Sequence, residues 1–112
     1  MVEKPIEIKT PDGITDGFIF QPEDKGQWPG VMHLTDIGGI RPAQHQMARQ
    51  LCEVGYVVLM PNLFYRTGRP PVLPRPYRAG DEVIEKRIAE LRASLPPAAV
   101  ERDAHAYVDF LT

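Results

Sequence analysis

The chain has 112 residues, 43% hydrophobic and 25% charged, the composition of an ordinary globular domain, which excludes global disorder. Its 13 basic residues are scattered among 15 acidic ones for a net charge of −2, leaving no electrostatic footprint for nucleic acid or an anionic membrane surface. The lone Cys52 excludes an internal disulfide, no Cys/His spacing suggests a structural zinc, and no apolar run approaches the roughly 20 residues of a membrane helix.

The N-terminal MVEKPIEIKTPDG carries no signal-peptide core, so a soluble cytoplasmic protein is expected. Within and after it, Ile6 and Ile8, then Ile14, Phe18 and Phe20, alternate loosely with polar residues around Pro11-Asp12-Gly13. This pattern predicts a β-hairpin with a Pro-Asp-Gly turn. Residues 22–28 read as a polar loop. The run 30–35, Gly-Val-Met-His-Leu-Thr, has no solvent face and predicts a short strand covered on both sides.

From Pro42 to Val54, Ala43, Met47, Leu51 and Val54 fall on one helical stripe, with Pro42 suited to the first turn and Gly55 to the C-terminal cap. Tyr56 to Met60 is a second all-apolar run. Strand, helix, glycine and strand make a βαβ unit with parallel strands and a right-handed crossover. Residues 62–80, with Pro70-Pro71, Pro74 and Pro76, are too proline-rich for a helix or a central strand. Asp81 is placed to cap a helix bearing Ile84, Ile88, Leu91 and Leu95, which Pro96-Pro97 ends. Val100, Ala104, Tyr107, Val108 and Leu111 mark a last helix. The chain then stops where a further buried strand is expected, so residues 1–112 read as a single, incomplete α/β domain.

Residues 29–68, PGVMHLTDIGGIRPAQHQMARQLCEVGYVVLMPNLFYRTG, resemble the N-terminal part of the dienelactone hydrolase family of α/β-hydrolases. The likeness rests on Pro-Gly-Val before the strand, the Asp36-Ile37-x-Gly39 loop, Ala48-Arg49-x-Leu51, and the run from Gly55 through Pro61-Asn62-Leu63-Phe64-Tyr65-Arg66. The resemblance implies the N-terminal half of an α/β-hydrolase-type sheet: the hairpin, the βαβ unit, then helices. It implies hydrolysis of a small-molecule carboxylic ester or lactone without a cofactor or metal. It further implies that the backbone N–H of Ile37 serves an oxyanion hole and that Asp36 neighbours the nucleophile. Gly38 and Gly39 would allow substrate to approach the backbone closely, and Arg66 is a candidate for holding a substrate carboxylate. Asp36 also has a plainer reading, as the residue that caps an ordinary turn.

The nucleophile is missing. A nucleophile elbow needs Gly-x-Ser/Cys-x-Gly. Ser94 is flanked at those positions by Arg92 and Pro96, and Cys52 by Gln50 and Val54. In this fold the triad acid and histidine follow the nucleophile, so the chain alone is expected to be inert. His33 reads as a packed, hydrogen-bonded core histidine, His45 and His105 as solvated surface residues, and Cys52 as a small buried hydrophobe. Arg66, Arg69, Arg75 and Arg78 line the proline-rich excursion. The alternative function is non-enzymatic: a half-domain that buries its open sheet edge by self-association or against a complementing segment or partner chain.

Overall fold

The computed structural model describes residues 1–24, 26–74, 78 and 80–112. Arg75 and Pro76 of the excursion lie outside the described residues. Strands β1 (Val2–Thr10) and β2 (Gly13–Gln21) form the expected hairpin, antiparallel from Val2↔Gln21 to Thr10↔Gly13. Strand β3 (Gly30–Met32), helix α1 (Pro42–Glu53) and strand β4 (Val57–Pro61) form the βαβ unit, with β3 and β4 parallel. The β2 strand pairs antiparallel with β4, giving a four-stranded sheet ordered β1-β2-β4-β3. Gly17 permits this junction: a Cβ there would lie 2.5 Å from the Met60 carbonyl oxygen.

Alternation along β4 explains its unbroken apolar run. Val58 and Met60 turn to one face, where they join Phe20, Ile40, Ala48 and Cys52 under α1. Leu59 turns to the other, with Ile8, Ile19 and Tyr107 under helix α3 (Pro97–Leu111). Phe20, Val58, Leu59 and Met60 are fully enclosed, each burial stabilising the fold by about 1.5–3 kcal/mol. Helix α2 (Glu82–Ala93) packs Ile84 and Leu91 on Phe64, Val72 and Leu73 of the excursion. Asp81 caps it as expected, accepting from the N–H groups of Val83 and Ile84. Residues 62–74 are turns and irregular chain. Their start is anchored by Asn62, whose side chain donates to Asp16 Oδ1 and the Gly68 carbonyl and accepts from the Phe64 N–H.

Three expectations are corrected. Strand β3 spans three residues rather than 30–35, and as the sheet's edge it is half-buried at Val31 and Met32 rather than covered on both sides. Helix α1 buries Gln44, Ala48 and Cys52, while Ala43, Met47 and Val54 of the expected stripe face water and Leu51 is half-buried. The cause is chemical: Gln44 Oε1 sits 2.6 Å from His33 Nε2, so a polar residue is satisfied inside, and Ala48 and Cys52 are small enough for close approach to the sheet. Helix α3 likewise buries Ala99, Asp103 and Tyr107, leaving Val100 and Val108 exposed. Asp103 can be buried because Arg66 and Tyr65 donate to it.

Candidate active-site loop

The loop leaving β3 is built around Asp36. Its backbone carbonyl accepts from the Gly39 N–H at 2.9 Å, closing a four-residue turn, and its Oδ1 accepts from the Gly38 N–H at 2.9 Å. Such side-chain-to-backbone bonding two residues on is how Asp stabilises turns. Gly39 has φ of +69°, and a Cβ on it would come within 2.6 Å of Val72 Cγ2. Glycine is therefore required at this position twice over, by backbone conformation and by the packing of the excursion. Gly38 and Gly39 are both buried and Ile37 half-buried, with the Ile37 side chain on the Phe64/Val72/Leu73 cluster.

Because the turn uses the N–H groups of Gly38 and Gly39, that of Ile37 has no acceptor among the described residues. Thr35 supplies a second such group: its Oγ1 is buried with no hydrogen-bond partner among them. Sequence reading missed Thr35, since a hydroxyl at a strand end carries no signal of its own. It also missed Arg41. The Arg41 guanidinium grips the Asp36 carboxylate at 2.6 and 2.9 Å and donates to the Gly39 carbonyl at 3.0 Å. Its opposite charge five residues after Asp36 was the available clue. Arg41 occupies the cap position of α1 yet makes no side-chain cap bond, its side chain being turned back into the loop.

A groove of about 950 Å³ runs beside the loop, between the hairpin, the start of α1 and the excursion; Phe18, Ile40, Arg41, His45, Arg69 and Pro71 line it. His45 is not the solvated residue expected. Its ring stands edge-on to Phe18, with centroids 4.5 Å apart, and Nδ1 lies 3.3 Å from Glu3 Oε1. His33 is hydrogen-bonded to Gln44, as the sequence suggests, but is half-buried rather than in the core, and His105 is exposed.

Arg66 is placed elsewhere. It donates through Nη1 and Nη2 to Asp103 at 2.7 and 2.9 Å, and through Nε and Nη2 to Asp12 at 3.2 and 2.6 Å. Arg102 adds a 2.9 Å bond to Asp12, and the Tyr65 hydroxyl donates to Asp103 while lying 2.8 Å from Thr10 Oγ1. The fork that the sequence offers to a substrate carboxylate is filled by the protein's own carboxylates, an arrangement that raises the Arg66 pKa further above its usual range. The network ties the hairpin turn, the chain after β4 and α3 together.

The profile of the dienelactone hydrolase family matches residues 15–112. The chain belongs to the dienelactone hydrolase family. A protein of Methylorubrum extorquens AM1 assigned as a carboxymethylenebutenolidase is 27% identical over 106 residues, which are 93% of this chain and 34% of that protein. The crystal structure of a Klebsiella pneumoniae protein assigned as a dienelactone hydrolase superposes with a TM-score of 0.79 at 22% identity, covering 97% of this chain and 42% of that one. A further structure, m3DLH, gives a TM-score of 0.68 at 22% identity over 96% of this chain and 41% of its own. The four-stranded sheet and three helices are thus an α/β-hydrolase-type fold, and the chain spans about a third to two-fifths of the length of these relatives. No helix among the described residues is long and apolar enough to cross a membrane.

Proposed function

We propose that these residues are the oxyanion-loop portion of a cytoplasmic, dienelactone-hydrolase-like carboxylic ester or lactone hydrolase, whose nucleophile, triad acid and triad histidine come from outside residues 1–112. The observation that carries this reading is the Ile37 N–H, held on a turn fixed by Asp36, Gly39 and Arg41 and left without an acceptor among the described residues. A donor held before charge develops is what a tetrahedral oxyanion needs, and losing one lowers kcat by about 10²–10³. Asp36 would neighbour the nucleophile with its charge held by Arg41, and Gly38 and Gly39 would line the approach of the acyl group.

The two side chains that could serve as nucleophiles support an inert chain. Cys52 is buried under the sheet, and burial pushes its thiol pKa up, away from the reactive thiolate. Ser94 donates its hydroxyl to the Leu91 carbonyl at 2.6 Å. In the complete site, a Cys or Ser nucleophile attacks the ester carbonyl, the Ile37 N–H stabilises the oxyanion, the alcohol leaves, and water releases the acyl group.

The test is complementation. The chain alone should not hydrolyse p-nitrophenyl acetate; adding the remaining two-thirds of the Methylorubrum relative should produce turnover. Ile37→Pro, which deletes the N–H, should then lower kcat by about 10²–10³, and Ile37→Ala, which keeps it, should not. Turnover by the chain alone would overturn the incomplete-site reading. An unchanged kcat in the Ile37→Pro complex would overturn the role of the loop.

A further inference from the structure

The turn that carries the Ile37 N–H is held from two sides by different chemistry. On its outer side Arg41 bonds the exposed Asp36 carboxylate. On its inner side the contact is apolar. Val72, 2% exposed, sets its Cγ2 only 2.6 Å from where a Cβ on Gly39 would stand, and the Ile37 side chain packs on the same Phe64/Val72/Leu73 cluster. One cluster therefore seats the residues on both sides of Gly38, and Val72 is the member that comes nearest Gly39.

Val72 sits on chain that has little else to fix it. Residues 69–74 are Arg, Pro, Pro, Val, Leu and Pro, so half of them carry no N–H. Among the described residues these six make no backbone–backbone hydrogen bond. One side-chain bond among the described residues ties them down: Arg87 Nε donates to the Val72 carbonyl at 2.9 Å. The Arg87 guanidinium is braced by Glu90 Oε2 at 3.2 Å, one turn further along α2, so the donor is presented from a regular element. Ile84 and Leu91 of the same helix also touch the cluster. Apolar contact is non-directional and would let the segment slide along α2, whereas a hydrogen bond to one carbonyl sets its register.

We propose that Arg87 is a positioning residue for the 36–39 turn: by fixing the Val72 carbonyl it sets the wedge that seats Gly39 and keeps the Ile37 N–H aimed. All the parts lie between residues 36 and 90, and the link runs from α2 through the excursion to the loop after β3. The catalytic consequence rests on the hydrolase reading, since only an oxyanion donor makes the aim of that N–H matter; the mechanical link does not. An oxyanion forms only in the transition state, so a misaimed donor lowers kcat and leaves KM alone.

Two substitutions separate the donor from the bulk of the side chain. Arg87→Gln places an amide N–H where Nε stands and discards the charge; Arg87→Met keeps the stem and discards the donor. In the isotope-labelled 112-residue chain, Arg87→Met should speed amide exchange at Gly39 about tenfold or more. Ala48, on the buried face of α1, should keep its native rate, and Arg87→Gln should restore Gly39. In the complemented complex Arg87→Met should lower kcat about 10–100-fold at constant KM, with most of the loss recovered in Arg87→Gln. Native exchange at Gly39 in Arg87→Met, equal acceleration at Ala48, or no rescue by Arg87→Gln would each overturn the proposal. If Ile37→Pro lowers kcat and Arg87→Met does not, the positioning role falls and the hydrolase reading stands. If Ile37→Pro leaves kcat unchanged while Gly39 exchange responds as stated, the hydrolase reading falls and the mechanical link stands.

Discussion

Removing the Asp103 carboxylate should test whether α3 is held to the hairpin by charge or only by apolar contact. Asp103 is 3% exposed and accepts three hydrogen bonds, two from Arg66 and one from Tyr65. Deleting one member of a buried ion pair costs about 3–5 kcal/mol, because the other charge is stranded. Here Arg66 keeps Asp12 and its side chain is 19% exposed, so water and a second carboxylate offset part of the loss. Asp103→Ala should therefore cost about 2–3 kcal/mol, lowering Tm by on the order of 10–20 °C in a chain of this length. Urea denaturation followed by Trp28 fluorescence measures it. The decisive comparison is a double-mutant cycle with Arg66→Ala. If the pair acts as a unit, the double variant should be less destabilised than the summed singles by about 2 kcal/mol. Additivity within about 0.5 kcal/mol, or an Asp103→Ala cost below about 1 kcal/mol, would refute the reasoning.

Gly39→Ala should destabilise the fold by about 1–3 kcal/mol, since it forces a left-handed φ on alanine and drives Val72 away; an equal melting temperature would contradict the packing described. Gly17→Ala should be worse, because its Cβ meets β4 backbone rather than a movable side chain. Urea titrations across pH should show two limbs. Burial pushes the Tyr107 phenol above its ordinary 10.0, so both states keep the proton below pH 10 and the unfolded chain ionises first above it; stability falls as pH rises past 10, and Tyr107→Phe should flatten that limb. Arg102 and Arg66 hold Asp12, and Arg49 and His45 hold Glu3, below their ordinary 3.8 and 4.5. Their contribution is complete above about pH 5 and drains as pH falls through the depressed values; a flat acid limb would refute the assignment.

What was legible in the sequence followed from local chemistry. The Pro11-Asp12-Gly13 turn, the Pro42 start and Gly55 end of α1, the Asp81 cap and the parallel β3–β4 pair are each dictated by residues adjacent in the chain. The glycines and aspartate of the 36–39 turn were legible for the same reason. What escaped depends on partners far apart in sequence. Nothing in the sequence marks Asp103 for burial, because Arg66 and Tyr65 reach it across 37 and 38 residues. Gln44 disguised the buried face of α1 because its partner, His33, lies eleven residues earlier, just past the end of β3. Arg66 was read as a free cation for the same cause in reverse.

The bond between His33 and Gln44 has a consequence for how α1 sits. The helix carries two rival faces one residue apart, about 100° of rotation: the apolar one through Met47 and Leu51, and the one actually buried through Gln44, Ala48 and Cys52. Hydrophobicity alone favours the first. A single polar contact across to His33, just past β3, acts as a detent against that roll, and it fixes where the helix begins relative to the 36–39 turn. In Gln44→Leu the detent is gone and Met47, 50% exposed in the native chain, should turn inward, which slower peroxide oxidation of Met47 would register. An unchanged oxidation rate would mean that the small residues alone set the phase of the helix.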